Sequence, residues 1–109
     1  MKKINAIGRR KAAVARVFVQ EGKGQITINK KELNTYFPSE ILQFIVKQPL
    51  AKLSVLDKFD VDVNLNGGGY KGQAEALRLA IARALVKVDA ENKPALKSEG
   101  FLTRDSREV

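Results

Sequence analysis

The residues of this chain whose type and position most directly suggest chemistry are three consecutive glycines, Gly67, Gly68 and Gly69. They lie between the clearest strand pattern in the sequence and its longest helix pattern. Glycine is favoured where the backbone turns sharply or approaches another molecule closely. A helix that begins after such a turn presents unpaired N–H groups and the positive end of its dipole, which together can bind a phosphate. Because Lys71 adds a positive charge there, this glycine loop predicts an anion-binding corner.

A dinucleotide site is one interpretation, since Gly67, Gly69 and Gly72 have the spacing G-x-G-x-x-G and Asp89 lies 22 residues after Gly67. The context does not fit it. The strand of a dinucleotide fold is buried on both faces, whereas this strand carries a polar residue at every second position. Asp89 falls at the end of the predicted helix, and 109 residues are too few for two mononucleotide-binding halves.

Two further ligand-binding interpretations also lack a required residue. Asp62, Asn64 and Asn66 match the first half of a calcium-binding EF-hand loop, but Gln73 stands where that loop needs a bidentate glutamate. A kinase-like phosphate loop needs the sequence Gly-Lys-Ser/Thr after the glycines, and this sequence is absent. Binding of a nucleic-acid backbone and a purely structural strand-to-helix corner both remain open on the glycines alone.

The distribution of charge favours the nucleic-acid backbone. The formal net charge is +8, and residues 1–31 carry nine basic side chains against Glu21 alone, so that the rest of the chain is neutral. The densest part of this excess consists of Arg9, Arg10, Lys11 and Arg16. A one-sided excess of this kind predicts a surface for a polyanion. A membrane surface fits less well because the basic stretch has no apolar helical face. A protein–protein adaptor with a merely solvated basic end is the remaining alternative.

The absence of cysteine and histidine argues against catalysis. It removes thiolate chemistry as well as the commonest general base and metal ligand. No stretch is apolar enough for a membrane span or a signal peptide. We therefore expect a cytoplasmic, non-enzymatic protein with no catalytic residue, no metal site, no cofactor and no membrane partner.

Hydrophobic periodicity predicts the elements that would position these residues. Strands are predicted at residues 4–8, 12–20, 25–29 and 59–66, with a hairpin between the second and third, and an edge strand at residues 101–105. Predicted helices occupy one or two turns within 30–37, an apolar stretch from the N-cap Ser39 to just before Pro49, residues 70–88, and a short segment from Asn92 to Gly100. The tyrosines and phenylalanines are scattered, and we expect them to fill the core rather than to stack on bases. The pattern indicates one α+β domain over residues 1–109, with helices on one face of a sheet.

Three stretches, taken in order, carry a family resemblance. They are Gly8-Arg9-Arg10-Lys11-Ala12-Ala13-Val14-Ala15-Arg16-Val17; Gly67-Gly68-Gly69-Tyr70-Lys71-Gly72-Gln73-Ala74-Glu75-Ala76, continued by Ile81-Ala82-Arg83-Ala84-Leu85; and Leu96-Lys97 with Gly100-Phe101-Leu102-Thr103-Arg104-Asp105-Ser106-Arg107. Their order and spacing resemble the bacterial form of the ninth protein of the small ribosomal subunit, and the likeness spans essentially the whole chain.

The resemblance implies a structural protein that binds small-subunit ribosomal RNA in the head of the subunit, near the peptidyl site and beside other ribosomal proteins. It also implies a two-layer fold, with a four-stranded mixed sheet, helices on one face and a left-handed strand–helix–strand crossover, against the usual hand. The RNA-binding residues that we expect are Arg9, Arg10, Lys11, Arg16, Gly67, Gly68, Gly69, Lys71, Gln73, Arg104 and Arg107.

One feature of the family has no counterpart among these residues. The family continues beyond the region of Arg107 into a long basic tail that reaches the transfer RNA in the peptidyl site, whereas this sequence ends at Val109. The contact with transfer RNA is therefore expected of a tail outside these 109 residues.

Overall fold

A computed structural model of the chain describes residues 3–102, so the expected contacts of Arg104 and Arg107 lie outside the described residues. The strands are β1 (Ile4–Arg10), β2 (Ala13–Glu21), β3 (Ile26–Ile28), β4 (Lys31–Glu32) and β5 (Phe59–Asn66). The helices are α1 (Leu33–Tyr36), α2 (Glu40–Lys52), α3 (Tyr70–Val88) and α4 (Lys93–Ser98), with a 3-10 turn (Ala90–Asn92) before α4. Elements of both types confirm the predicted α+β class, and β5 and α3 have the predicted bounds.

The strands form one open mixed sheet in the order β1-β2-β5-β3-β4. Only β3 and β5 are parallel; the other neighbouring pairs are antiparallel. The prediction of four strands is wrong, because residues 31 and 32 form a fifth, β4. This strand follows a tight turn in which Asn29 and Lys30 both have positive φ. Its two exposed polar residues give no hydrophobic alternation, so the sequence predicted only helical turns there.

The predicted hairpin between β2 and β3 is also wrong, because β5 lies between these two strands. The turn signal from Glu21 to Gly24 belongs to a loop that Asp60 of β5 holds in place. The Asp60 carboxylate Oδ1 accepts hydrogen bonds from the backbone N–H groups of Lys23 (3.0 Å), Gly24 (3.2 Å) and Gln25 (2.9 Å). The loop therefore carries the chain past β5 instead of reversing it onto β2.

One face of the sheet is covered by helices and the other is open. Alternate residues of β2 and β5 are fully buried against α3 and the rest of the core, whereas their neighbours point the other way and are exposed or half-buried. Alanine lines much of the buried side of α3 and allows close approach to the sheet. At Gly8 of β1 the approach is very close, since a Cβ there would lie 2.6 Å from the backbone nitrogen of Ala80.

The outer edge of β1 is covered by two basic side chains of α3. Arg83 Nη1 donates to the Ile7 carbonyl at 2.9 Å, and Lys87 Nζ donates to the Asn5 carbonyl at 2.8 Å. Arg83 and Lys87 are one helical turn apart, and their acceptors are two residues apart on one side of the strand. These two cations thus occupy polar groups that an edge strand otherwise offers to another chain.

Helix α2 begins as predicted but ends later. The Ser39 Oγ accepts a hydrogen bond from the Leu42 N–H at 3.4 Å, which confirms Ser39 as the N-cap. The predicted end before Pro49 is wrong, because the helix continues to Lys52 with Pro49 inside its last turn. Proline removes a single backbone donor, and Pro49 and Leu50 are both buried, so packing offsets that loss.

Some of the large apolar side chains of α2 are exposed rather than packed in the core. Val46 and Leu50 are buried, but Ile41 is 73% exposed and Phe44 is 64% exposed. The expectation that the phenylalanines fill the core is therefore wrong for Phe44.

The C-terminal part of the described chain packs on α2. Leu96 of α4 is fully buried, and Gly100 ends the helix with positive φ, as predicted. The predicted edge strand is not seen at residues 101 and 102, which form a turn; its remaining residues lie outside the described part. No helix within residues 3–102 combines the length and apolar character needed to cross a bilayer. The left-handed sense of the crossover stays a prediction.

Candidate nucleic-acid interface

The glycine loop joins β5 to α3, and its three glycines have different structural requirements. Gly67 and Gly68 have φ values of 79° and 68°, which disfavour any residue with a Cβ. They also lie against the β1–β2 turn: a Cβ on Gly67 would overlap the carbonyl oxygen of Ala12, and one on Gly68 would lie 3.2 Å from the backbone nitrogen of Ala13. Gly69 has φ −92°, and a Cβ there would have no neighbour within 4 Å. The fold therefore explains Gly67 and Gly68 but not Gly69.

Gln73 holds the glycine loop from inside. The side chain is only 8% exposed. Its Nε2 donates to the Gly67 carbonyl at 3.0 Å, and its Oε1 accepts from the Tyr36 hydroxyl at 2.9 Å. Both ends of the amide thus contact the protein itself, so Gln73 shapes the loop rather than presenting its side chain to solvent.

The β1–β2 turn brings the basic residues and the glycine loop together, as the sequence suggested. Lys11 is in this turn with φ 56°, and the Ala12 backbone contacts Gly67. Arg9 and Lys11 are exposed, and Lys71 is exposed in the first turn of α3. Lys11, through its neighbour Ala12, and Lys71 therefore lie at the start of α3, where the first backbone N–H groups have no partner within the helix.

Arg10 takes a different position from Arg9 and Lys11. It lies on the helix-facing side of β1, and its Nε is 2.8 Å from Glu75 Oε1 of α3. Arg78 lies beside this pair, with Nη1 donating to Gln48 Oε1 at 2.6 Å and its guanidinium 5.4 Å from the centre of the Phe101 ring. Burial lowers the pKa of Arg78; the charge of Glu75 opposes this shift and that of Arg10 adds to it. Arg10 thus ties the end of β1 to α3.

Arg16 lies on the open face of the sheet, where it is exposed near the middle of β2. Arg9 is on the same face of β1, because residues 7 and 9 pair with residues 16 and 14. The structure therefore divides the expected arginines between two faces: Arg9 and Arg16 on the open face, and Arg10 on the helical face.

A third basic segment, which the expected site does not include, reaches the same end of the sheet. Asn29 makes two hydrogen bonds with the backbone of Leu65, donating to its carbonyl (3.0 Å) and accepting from its N–H (2.9 Å). Lys30 and Lys31 follow and are exposed. Because Asn29 and Leu65 are 36 residues apart, no local pattern could predict this contact. We call this region, with Lys11, the glycine loop, Lys30, Lys31 and Lys71, the basic end of the sheet.

An aromatic cluster borders the basic end and corrects the expectation of scattered aromatics. The rings of Tyr36 and Phe37 meet edge to face with centroids 4.8 Å apart, and Tyr70 lies 6.2 and 6.0 Å from them. Phe37 is buried, whereas Tyr70 is 59% exposed beside Lys71. Burial, with a smaller contribution from Tyr70, raises the pKa of Tyr36.

The geometry disagrees with the dinucleotide and calcium interpretations. Asp62, Asn64 and Asn66 occupy alternate positions along the extended strand β5, so they cannot wrap around one ion as an EF-hand loop does. Within residues 3–102, α3 is not followed by a strand, whereas a dinucleotide site needs a second parallel strand after the helix.

Comparison with known proteins shows the family of this chain. Residues 8–109 match the family described as ribosomal protein S9/S16. The proteins named small ribosomal subunit protein uS9 of Parabacteroides distasonis and Bacteroides fragilis are each 68% identical over 109 residues, covering 100% of this chain and 85% of the relative. That of Porphyromonas gingivalis is 69% identical over 106 residues, covering 97% and 83%. This is a family of structural ribosomal proteins and not of enzymes, which confirms the predicted non-enzymatic class. The chain therefore belongs to the ribosomal protein S9/S16 family.

Proposed function

We propose that this protein is a structural constituent of the small ribosomal subunit, and that residues 1–109 act as one domain that binds ribosomal RNA in the subunit head near the peptidyl site. Its place of action is the cytoplasmic ribosome, and its partners are ribosomal RNA and neighbouring ribosomal proteins of the head. Family membership and the names of the relatives support the ribosomal role. The basic end of the sheet supports RNA as the ligand, since backbone binding depends on cations that face phosphates.

The single observation that carries the proposal is the free space at Gly69. This glycine has neither a positive φ nor a close neighbour, yet it stands at the N-cap of α3, where serine, threonine, aspartate and asparagine stabilise a helix better or equally well. Fold stability thus gives no reason for glycine. Close approach of an RNA backbone gives one, because a phosphate at the helix start would touch the Gly69 backbone directly.

The expected residues then have two roles: some bind RNA phosphates, and others hold the loops that carry them. Lys11 and Lys71 bind phosphates at the start of α3, and Arg9 and Arg16 do so on the open face. Arg10 fixes the β1–β2 turn through Glu75, and Gln73 fixes the loop through Gly67. Recognition is of folded RNA by its shape and backbone, because the basic end offers charge and backbone donors rather than a row of exposed aromatic rings.

The contact with peptidyl-site transfer RNA remains a prediction. We assign it to a basic tail of the intact protein and to no residue of this chain. Arg104 and Arg107 are proposed to add RNA contacts where such a tail would leave the domain.

Gly69→Ser tests the proposal, since Gly68 cannot be changed without straining the backbone at its positive φ. Serine caps a helix slightly better than glycine, so the melting temperature of the free protein should stay equal or rise. The added side chain should lower the affinity for a transcript of the RNA head domain several-fold, measured by filter binding. Ala51→Ser, exposed on α2, is the control: it should leave the affinity unchanged and lower the melting temperature only slightly, because serine has a lower helix propensity than alanine. If Gly69→Ser binds the transcript with unchanged affinity, the glycine loop is only a structural strand-to-helix corner and the proposal is contradicted.

A further inference from the structure

The open face of the sheet has a regular arrangement in which Arg9 and Arg16 lie beside residues that the expected site does not include. Strand register places Ile7, Arg16 and Asn64 in one row across β1, β2 and β5, and Arg9, Val14 and Asn66 in the next. Two arginines and two asparagines therefore occupy neighbouring rows of one face. All four are exposed.

The outward residues of β5 change character along the strand. They are Asp60 and Asp62, then Asn64 and Asn66, so the carboxylates stop where the arginine rows begin. Asn64 is the direct cross-strand partner of Arg16. An aspartate there would place opposite charges on directly paired positions, an arrangement that stabilises a sheet. Asparagine is disfavoured in strands, so the stability of the sheet does not account for it.

The amide at position 64 has a clear electrostatic consequence. It leaves Arg16 opposite a neutral side chain, and within residues 3–102 Arg16 makes no ion pair. Over the same part of the chain, the side chains of Asn64 and Asn66 make no hydrogen bond with the protein. A guanidinium without a carboxylate beside it can bind a phosphate in a bidentate manner. An unused amide offers both donors and an acceptor to a neighbouring group of the same ligand.

We propose that this open face is a second RNA-contacting surface, in which Arg9 and Arg16 bind phosphates and the amides of Asn64 and Asn66 contact ribose 2′-hydroxyls or base edges. The proposal rests on the proposed ribosomal RNA binding and extends it from the two arginines to the two asparagines in their rows. Asn66 directly precedes Gly67, so the open face and the loop form one continuous surface along β5. The ligand class is an RNA segment with accessible 2′-hydroxyls, because the hydroxyl both donates and accepts, as an amide does.

Asn64→Asp tests this inference with the least change of shape. The variant should keep or raise the melting temperature of the free protein, since the new carboxylate can pair with Arg16. It should weaken binding of the RNA head-domain transcript about ten-fold and make the slope of log affinity against log salt about one unit less steep, because Arg16 no longer neutralises a phosphate. Asn34→Asp makes the same change of charge on exposed α1 and is the matched control.

A double variant distinguishes two effects of the new carboxylate: an ion pair with Arg16, and direct repulsion of the RNA phosphates. If Asn64→Asp acts through Arg16, then adding it to Arg16→Gln should change affinity little further, whereas independent effects would multiply. Equal affinity and slope for Asn64→Asp and Asn34→Asp would overturn this inference while leaving the proposed function standing. A wild-type protein that does not bind the transcript would overturn both.

Discussion

At the scale of single residues, two buried or half-buried polar side chains shape two loops, the glycine loop and the loop between β2 and β3. Gln73 holds the glycine loop through Gly67, and Asp60 holds the β2–β3 loop through three backbone N–H groups. Both side chains therefore fix the path of the backbone in these loops. The motif around the glycines was predictable from the sequence. Which glycine is free of structural constraint was not, because that depends on contact with Ala12 and Ala13 across the sheet.

Asp60 makes stability depend on pH. The backbone N–H groups of Gln25 and Lys23, followed by that of Gly24, hold the pKa of the Asp60 carboxyl below its ordinary value. A carboxyl whose pKa is lower in the folded state stabilises the fold above its unfolded pKa of about 3.9, and this contribution is lost as pH falls through the folded pKa. Asp60→Asn should therefore be less stable than wild type at neutral pH, and the difference should shrink on acidification.

Urea unfolding at about pH 7 and about pH 3 measures this difference. Asp62→Asn removes a carboxylate from the same face without removing hydrogen bonds to the loop, and it serves as the control. A gap between wild type and Asp60→Asn that stays constant across this range would show that the loop does not depend on the ionised carboxylate.

At the scale of elements, the contact between β1 and α3 sets the position of the candidate interface. Helix α3 carries Lys71 at its start and packs along β1, whose far end leads into the Lys11 turn. At Gly8 the two backbones lie so close that a Cβ would have no room. This contact therefore fixes the basic turn relative to the first turn of α3.

Gly8→Ala should destabilise the protein because its Cβ has no room beside the backbone of Ala76 and Ala80. We expect a loss of about 1–3 kcal/mol in the free energy of unfolding, as for other overpacked core sites. Gly72→Ala is the matched control within α3: its Cβ would lie 3.8 Å from the Arg10 carbonyl, in ordinary contact. It should stabilise the helix by about 0.5–1 kcal/mol. Equal changes in the two urea unfolding curves would contradict the close approach at Gly8.

The elements also show where sequence patterns suffice. β5 alternates throughout and α3 has a long apolar stripe, so local periodicity determines both. The prediction of a β2–β3 hairpin was wrong because the strand order depends on long-range pairing with β5. A local turn motif contains no information about that pairing. The predicted end of α2 was wrong because the helix continues through Pro49, whose burial outweighs the usual tendency of proline to end a helix. Local chemistry thus predicted the elements, whereas tertiary contacts determined their order and some of their ends.

At the scale of the whole molecule, the basic excess of residues 1–31 does not form a single patch. Arg9 and Arg16 occupy the open face, Lys11, Lys30 and Lys31 belong to the basic end, and Lys23 lies in the loop at the opposite end of β2. The sequence predicted one polyanion-facing surface. The fold divides the described cations between the open face and the basic end, and these two regions adjoin where Asn66 of β5 meets Gly67.

The central claim is that these cations bind ribosomal RNA through its phosphates. The most direct test is the affinity of the protein for a transcript of the small-subunit RNA head domain, measured by filter binding as a function of salt concentration. If about six phosphates are neutralised, affinity should fall roughly 10³-fold between about 50 and 200 mM monovalent salt, because each contact releases condensed counterions. An affinity that stays flat over this range would contradict the account.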